Sequence, residues 1–433
     1  MSFLDFKKDQ KIDEKKNSVT DKRVYLDYAA TTPTDPSVFE VMRPYFIEEG
    51  GNASSIHQFG QAAAKAVVEA RQRVADFLNC EPREVIFNSG ATEGNNTIIK
   101  GFGRSRKIAA KLGAKPHLIV SEIEHECVFA AAKFLQEIGE AEVTFAPVNR
   151  EGIVELTEIQ KAVKPNTVLI SLMYANNEIG TIQPVAEVGA WLKEINATRS
   201  AKIYFHTDAV QAANYLPCDA QKLGVDFLTL SGHKFYGPKG AGVLFIRSGA
   251  GVFDKFMHGG EQEFHWRAGT HNTPGIVGLG AAIARLKNNQ AEVKEIKRLR
   301  EKLIDGVQHK ITEAFLNGAR EPRLPNNVNF RFTGVEGEAI LFSLDMAGIA
   351  ISTGSACAAK SLEPSHVLLA MGLKPLEAHS SVRFSLGRFT TEAEIERVLE
   401  VLPEIIERLR NISGNLKGAG SIERGELPKD FGC

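Results

Sequence analysis

The sequence predicts an α/β fold with a mostly parallel sheet flanked by helices, followed by a smaller α+β domain. Between about residues 84 and 247, short runs of Val, Ile, Leu and Phe alternate with segments of helical length. Runs that are apolar at nearly every position are typical of parallel strands buried on both faces by crossover helices. Beyond about residue 280 the regular alternation ends, which indicates a second domain of mixed helix and strand.

The first region contains short runs rich in β-forming residues, separated by amphipathic helical segments. The predicted strands are Glu84–Asn88, His117–Ser121, Val168–Tyr174, Ile203–His206, Asp226–Leu230 and Gly242–Ile246. The predicted helices are Thr92–Gly101, Val128–Glu137, Leu156–Val163, Val185–Ile195 and Cys218–Leu223.

The second region begins with a long charged helix, Ala291–Phe315, and ends with another, Thr391–Asn411. Between them lie the candidate elements Asn327–Arg331, Glu338–Asp345, Ile349–Ser352 and Ser381–Ser385. We therefore predict a large domain and a small domain between two flexible tails. The predicted bounds are 1–23 for the first tail, 46–279 for the large domain, 24–45 with 280–412 for the small domain, and 413–433 for the last tail.

Composition excludes several classes of protein. The chain of 433 residues has 52 basic and 53 acidic side chains, so no direct nucleic-acid surface is expected. Its five cysteines are scattered without a Cys-x-x-Cys pair, which predicts neither a disulfide framework nor a zinc site. No apolar run approaches the roughly 20 residues of a membrane span. We expect a cytoplasmic protein that acts on small substrates or proteins.

Polar residues follow several predicted strands, at the edge where ligands bind in open parallel sheets. Ser89–Glu93 follows the first strand and begins a helix, so its N–H groups can form a phosphate site, although an ordinary N-cap at Thr92 explains the same residues. His125 follows the second strand, where an imidazole can stack on a flat ring or simply cap a helix. Asn176–Gly180 follows the third strand and offers an amide, or a plain turn.

Asp208 and Lys234 follow the next two predicted strands. A carboxylate can pair with a protonated ring nitrogen, and a partly desolvated lysine can attack an aldehyde. Each site is weak evidence alone. Together an anion site, a stacking imidazole, an amide, a carboxylate and a lysine match the phosphate, ring face, phenolic oxygen, pyridinium nitrogen and aldehyde of pyridoxal phosphate.

Nucleotide and metal sites fit the sequence less well. The chain has neither a Walker glycine-lysine loop nor a Gly-x-Gly-x-x-Gly motif after a strand. His258, His265 and His271 match no metal-ligand spacing, so no metal is expected.

Five segments carry a resemblance to a known family: Tyr25–Pro33, Ser89–Glu93, Asn176–Gly180, Ser231–Lys234 and Ser352–Cys357. They resemble the cysteine desulfurases of the NifS/IscS type, and the likeness runs from about residue 25 to 410. Residues 362–368 resemble the long-loop branch of that family. The resemblance implies a fold-type I, pyridoxal-phosphate-dependent homodimer that converts L-cysteine to L-alanine and holds the sulfur as a persulfide.

The resemblance also implies residue roles. Lys234 would bind the cofactor aldehyde, His125 would stack on the ring and take part in catalysis, and Asp208 would pair with the pyridinium nitrogen. Gln211 would face the phenolic oxygen. The phosphate would be held by Ala91, Thr92, Ser231 and His233, with Thr270 reaching in from the other subunit, and the substrate carboxylate by Asn176 and Arg383.

Cys357 is the predicted persulfide carrier. It lies in a run of small residues without an apolar face, which predicts a mobile loop, and nearby Lys360 favours the reactive thiolate. Cys80, Cys127 and Cys218 stand beside apolar segments and are expected to be buried apolar residues.

The sequence departs from the family pattern at Ala53, where a proline is usual, at Phe264-His265-Trp266, and in the C-terminal tail. Two other functions stay open: another pyridoxal-phosphate lyase such as a selenocysteine lyase, and a catalytically silent binding subunit. The sulfur acceptor, either a scaffold for iron–sulfur clusters or a tRNA-modifying enzyme, is not determined by the sequence.

Overall fold

The computed structural model describes residues 23–353 and 363–419, with side chains up to residue 412. The predicted tails and Cys357 therefore lie wholly or largely outside the described residues. The strands are β1 (Val24–Tyr25), β2 (Val85–Asn88), β3 (His117–Ser121), β4 (Glu142–Ala146), β5 (Thr167–Ser171), β6 (Tyr204–Asp208), β7 (Phe227–Ser231), β8 (Gly242–Ile246), β9 (Ala314–Leu316), β10 (Asn327–Phe332), β11 (Ile349–Ala350) and β12 (Ser381–Ser385).

The helices cover both faces of the main sheet and much of the second region. They are α1 (Pro36–Met42), α2 (Pro44–Ile47), α3 (Gln58–Leu78), α4 (Ala91–Gly103), α5 (Arg106–Leu112), α6 (Glu126–Glu137), α7 (Leu156–Ala162), α8 (Val185–Asn196), α9 (Ala220–Leu223), α10 (Thr273–Leu286), α11 (Gln290–Lys310), α12 (Gly337–Met346), α13 (His366–Ala370), α14 (Pro375–His379) and α15 (Glu392–Ala419).

The main sheet has the strand order β2-β8-β7-β6-β5-β3-β4. Strand β8 runs antiparallel to both of its neighbours, and the other pairings, β7-β6, β6-β5, β5-β3 and β3-β4, are parallel. Strand β2 is therefore parallel to β7, and the carboxyl ends of β2, β3, β5, β6 and β7 share one edge. The predicted fold class, a mostly parallel sheet flanked by helices, is confirmed.

Burial on both faces explains the apolar runs in the sequence. In β8, Val243 and Phe245 join one core, with residues of α3 and α10, whereas Leu244 and Ile246 join the other, with residues of α4 and α6. Successive side chains of a strand point to opposite faces, so a strand between two helix layers has to be apolar throughout.

The second region has its own core around an antiparallel sheet, β12-β10-β9, and the parallel pair β1-β11. Helices α11, α12 and α15 pack together there. Val24 and Leu26 join this core, whereas Val38 and Met42 join a core of the main sheet. The intervening segment of the chain therefore connects the two regions.

Elements that differ from the sequence predictions include β4, α11 and α15, and α3 and α10 were not predicted. Strand β4 was not predicted, because it is an edge strand with polar and partly exposed positions in place of a continuous apolar run. The predicted helix Ala291–Phe315 ends at Lys310, since Glu313 has a φ of 52° and begins the turn into β9. Helix α15 continues to Ala419, past the predicted end at Asn411, because Gly414 and Gly418 each weaken a helix by only about 1 kcal/mol.

Candidate active site

One cavity of about 540 Å³ lies at the shared carboxyl edge of the main sheet. Its walls contain most of the residues predicted for the cofactor, namely Ala91, Thr92, His125, Asp208, Gln211, Ser231, His233 and Lys234. A second cavity of about 650 Å³ shares His125 and Lys234 with the first and is also lined by Arg383. The sequence prediction therefore corresponds to one contiguous site.

The anion site is the first turn of α4. Gly90 is the N-cap, with a φ of 148° and no capping side chain, so the interpretation of Thr92 as an ordinary N-cap is wrong. Asn88 Oδ1 accepts the Gly90 N–H at 3.0 Å, and Glu93 Oε2 accepts the Ser89 N–H and hydroxyl at 2.9 and 2.7 Å. The turn is thus held from both sides, and Ala91 and Thr92, the first residues of the helix, line the cavity.

Lys234 follows β7 and extends into both cavities. Its Nζ donates to the carbonyl oxygens of Ala29 and Ala30 at 2.6 and 2.8 Å. Gln211 Nε2 donates to the Ala29 oxygen at 3.0 Å. Tyr25–Pro33, one of the segments that resemble the family, therefore contacts the lysine through Ala29 and Ala30.

His233 is the second imidazole of the site. Burial, followed by the charges of Lys234 and Lys239, lowers its pKa to about 4. A neutral imidazole results at pH 7, and its Nδ1 lies 3.1 Å from Thr31 Oγ1. Lys239, which also lines the cavity, supplies a cation beside the anion site that the sequence reasoning had not assigned.

His125 caps a helix and also lines the cavity, so its capping role leaves the predicted stacking on a ring as a prediction. It is the N-cap of α6, and its Nδ1 accepts the Cys127 N–H at 3.2 Å. Burial lowers the pKa of His125 below its ordinary value, against the opposing charge of Asp208. A neutral His125 with an accepting Nδ1 carries its hydrogen on Nε2.

Asp208 ends β6 and is almost fully buried, with 5% of its surface exposed. Asn95 Nδ2 donates to its Oδ2 at 2.6 Å, and the Val210 N–H donates to its Oδ1 at 3.0 Å. The sequence reasoning missed Asn95, which is fully buried in α4, because an asparagine inside a helix has no distinctive pattern.

Arg383 lies in β12 with 1% of its surface exposed. Its Nη2 donates to Asp27 Oδ1 at 2.8 Å, and its Nη1 donates to the backbone carbonyl oxygen of Asn177 at 2.9 Å. Asn176, predicted beside it, uses its side chain for local backbone bonds to Ile123, Glu178 and Ile179. Asn177, the next residue, lines both cavities in its place.

Thr270 lies on an exposed loop and is absent from the walls of the two cavities. The departure Phe264-His265-Trp266 precedes it, and Glu263, Phe264 and His265 all have a positive φ. The segment is fixed by Glu263, whose carboxylate accepts two bonds from Arg71 at 2.7 Å and one from the Phe87 N–H at 2.8 Å. The uncommon residues are therefore part of a defined loop.

Cys127 was expected to be a buried apolar residue, and this holds only in part, because it packs against a core but also borders the cavity. It is half-buried and lines the cofactor cavity, with Sγ 3.1 Å from His125 Nδ1 and 3.2 Å from Asn95 Nδ2. Burial raises the pKa of its thiol to about 12, so the group is a neutral thiol. Cys218 is buried as expected, whereas Cys80 is only half-buried.

Cys357 lies outside the described residues, but both flanks of its segment are tied to the site. The Ser352 backbone pairs with that of Arg383 through bonds of 3.1 and 2.7 Å. On the other side, Ser365 Oγ donates to Glu178 Oε2 at 2.6 Å, and His366 Nε2 donates to the backbone carbonyl oxygen of Glu124 at 3.0 Å. Residues 363–366 line the larger cavity.

The donor set fits pyridoxal phosphate. A lysine, a buried carboxylate and a helix N-terminus border one cavity, which are the groups that an aldehyde, a pyridinium nitrogen and a phosphate require. A Cβ added at Gly90 would lie 3.5 Å from Ser231 Oγ, between residues of the anion site. Among the described residues, no cluster of His, Cys, Asp and Glu is suited to a metal ion, and no helix is both long and apolar enough to span a bilayer.

Comparisons with known proteins identify the family of this chain. The profile of the aminotransferase class-V family matches residues 24–398. Cysteine desulfurase IscS of Dictyoglomus turgidum is 47% identical over 394 residues, which is 90% of this chain and 96% of that protein. Cysteine desulfurase IscS of Methanosarcina thermophila is 47% identical over 400 residues, 92% of this chain and 95% of that protein.

Solved structures show the same relationship. A NifS-like protein superposes with a TM-score of 0.80 at 36% identity, covering 90% of this chain and all of the other. A NifS-like protein from Rickettsia africae gives a TM-score of 0.78 at 30% identity, covering 89% of this chain and all of the other.

The chain belongs to the aminotransferase class-V family and has its fold-type I architecture. Within that family it stands with the IscS-type cysteine desulfurases, and it depends on pyridoxal phosphate.

Proposed function

We propose that this protein removes the sulfur of L-cysteine, releases L-alanine and carries the sulfur as a persulfide on Cys357. One observation carries the proposal: Lys234 and Arg383 line the same cavity as residues 363–366, which follow the Cys357 segment. A substrate held there lies between the base, the carboxylate-binding cation and the chain that bears the thiol.

Arg383 binds the substrate carboxylate in this proposal. Its guanidinium is buried and oriented by Asp27 and the Asn177 oxygen, so little further ordering is required on binding. A desolvated cation discriminates for an amino-acid carboxylate more strongly than an exposed one. Asn177, which lines the same walls, replaces Asn176 as the amide nearest the substrate.

Lys234 is the base in this proposal. Bound pyridoxal phosphate supplies an electron sink next to the substrate Cα. The Lys234 amine would hold the cofactor aldehyde, and it would take up the Cα proton of a substrate whose carboxylate is bound by Arg383. Neutral His125 offers its Nε2 hydrogen from the N-terminus of α6, which suits a role in proton transfer beside the ring.

The sulfur step requires a second thiol. Cys357 thiolate attacks the substrate sulfur, an S–S bond forms as the Cβ–S bond breaks, and the electron pair stays with the carbon. That carbon takes up a proton to become the methyl group, and the proton that Lys234 removed returns to Cα, which completes L-alanine. The raised pKa of Cys127 makes it a poor alternative nucleophile, although it lines the neighbouring cavity.

We further propose a homodimer in which Thr270 reaches the phosphate site of the partner. Ile56, Phe59 and Val68 are 92%, 66% and 63% exposed, an apolar surface that water does not favour. Val68 borders a cavity of about 630 Å³ together with Phe264 and His271.

The remaining proposals concern context. Separate cores support one large and one small domain. The bounds 46–279 for the large domain and 24–45 with 280–412 for the small domain stay a prediction, and Val38, Met42 and Ile283 pack in a core of the main sheet. The cysteines of the described part of the chain are free thiols, which favours a reducing cytoplasm. The acceptor of the sulfur is a scaffold protein for iron–sulfur clusters or a tRNA-modifying enzyme.

Release of alanine from L-cysteine by wild type and Cys357→Ala tests the function. We expect the variant to lose at least about 99% of alanine and sulfide release with its bound cofactor intact, because removing a nucleophile costs on the order of 100-fold or more. Alanine formation that survives in Cys357→Ala would favour a lyase such as a selenocysteine lyase. A protein that binds no cofactor would instead be a silent subunit.

A further inference from the structure

We propose that Asn95 and Thr229 are positioning residues that hold the Asp208 carboxylate ionised and aimed at the cofactor cavity. The inference rests on the proposed role of Asp208 toward the pyridinium nitrogen, and it adds residues that neither the resemblance nor the cavity walls assign. It is carried by a hydrogen-bonded chain that begins in the sheet and ends at the carboxylate.

The chain has two short links. Thr229 Oγ1 donates to Asn95 Oδ1 at 2.6 Å, and Asn95 Nδ2 donates to Asp208 Oδ2 at 2.6 Å. Asn95 and Thr229 are fully buried, and Asp208 is 5% exposed. At this burial a hydrogen bond to a charged group is stronger than in water, and an unmade one is costly.

The chemistry of the neighbours fixes the direction of the chain. A carboxylate only accepts hydrogen bonds, so the Asn95 amide must turn its Nδ2 to Asp208, and its Oδ1 then needs a donor. Thr229 is that donor. The other Nδ2 hydrogen points to Cys127 Sγ at 3.2 Å, so the whole amide is used. A flipped amide would set an oxygen against the carboxylate.

Strand pairing and helix packing bring Asp208, Thr229 and Asn95 together. Asp208 and Thr229 are direct partners in the pairing of β6 with β7. Asn95 comes from α4, which packs closely on β7 because Gly94 has no side chain: a Cβ there would lie 2.8 Å from Thr229 Cγ2. Since Asn95 follows Ala91 by about 6 Å along the helix, one helix sets both the anion site and the carboxylate.

The consequence concerns the charge of Asp208. Two donors, Asn95 Nδ2 and the Val210 N–H, stabilise the ionised carboxylate. An ionised and immobile carboxylate keeps a ring nitrogen protonated, and a protonated ring is the stronger electron sink. Asn95 thus acts on the cofactor through Asp208 without touching the reacting atoms.

The test measures the dissociation constant of pyridoxal phosphate and the pH midpoint of its absorbance change in the reconstituted enzyme. We expect Asn95→Ala to weaken binding roughly tenfold, the effect of one hydrogen bond to a charged group, and Thr229→Val about threefold because the amide loses its orienting donor. Both should shift the pH midpoint in the same direction as Asp208→Asn, by a smaller amount. Asn95→Asp should restore binding at pH 6, where a shared proton replaces the donor.

Thr207→Val is the matched control. Thr207 is equally buried and precedes Asp208, but its hydroxyl donates to the Leu172 oxygen at 2.7 Å. The Thr207→Val protein should be less stable than the wild type, but the pH midpoint of its cofactor absorbance change should stay the same. If Thr229→Val behaves like Thr207→Val, or if Asn95→Ala leaves both readouts unchanged while Asp208→Asn alters them, the inference is overturned. If Asp208→Asn itself changes neither readout, the proposed role of Asp208 fails instead.

Discussion

Glu124 shows at the scale of one residue what burial does to a charge. It is fully buried beside His125, with Oε1 accepting the Met173 N–H at 2.6 Å and the Ser121 hydroxyl at 2.9 Å. Its Oε2 has no hydrogen-bond partner among the described residues. Burial, together with the charge of Asp208, raises the pKa of Glu124 to about 8, so the folded protein holds this carboxyl protonated at neutral pH.

Glu124→Gln should flatten the pH dependence of stability. In the unfolded chain Glu124 titrates near 4.5, so between that pH and about 8 the folded state binds one more proton. Stability contributed by the protonated group is present below pH 4.5 and is lost as the pH rises toward 8. The thermal midpoint of the wild type should therefore fall from pH 5 through 6.5 to 8, and the midpoint of Glu124→Gln should fall less over the same range. Glu137 is exposed, so the thermal midpoint of Glu137→Gln should change with pH as the wild type does. If the midpoint of Glu124→Gln also ran parallel to that of the wild type, the raised pKa of Glu124 would be contradicted.

The first turn of α4 shows how an element makes a binding site. Gly90 adopts a φ of 148°, which an L side chain rarely tolerates, and its position between Asn88 and Ser231 sets the direction of the helix. The sequence predicted the strand, the small residues and the helix. It did not predict that Gly90 has a positive φ.

Gly90→Ala should lower the affinity for pyridoxal phosphate roughly tenfold, because strain of about 1–3 kcal/mol is relieved by moving the turn. Gly113→Ala is a suitable comparison, since Gly113 has a φ of 65° at the end of α5 and a Cβ there meets open space. That variant should lose stability and keep its affinity. Equal affinities in the two variants would show that the turn is not part of the phosphate site.

At the scale of the whole molecule, the sequence predicted the parallel sheet because its strands are apolar on both faces, as in β8. It predicted Lys234, Asp208 and His125 at one edge because parallel strands end together. It missed Asn95 and misjudged Cys127, since these are placed by the close packing of α4 on the sheet, which no local pattern records. The edge strand β4 was missed because it lacks a continuous apolar run.

Val68→Asp should separate the proposed homodimer. Val68 is 63% exposed on α3, and a charge there costs little in a monomer but is unfavourable in an apolar interface. Phe342→Asp is the control, because Phe342 is equally exposed, at 63%, on α12. Light scattering should show a monomer for Val68→Asp with weaker cofactor retention, and a dimer for Phe342→Asp. The same mass for both variants would place the interface elsewhere.

Sulfur that leaves L-cysteine at the Lys234 and Arg383 site should reach Cys357. Mass spectrometry of the Cys357 peptide, after brief incubation with L-cysteine and alkylation, detects this transfer. We expect the added mass of one sulfur atom on Cys357 in the wild type and none in Lys234→Ala or on Cys127. An unmodified Cys357 peptide in an enzyme that is releasing alanine would show that the sulfur takes another route.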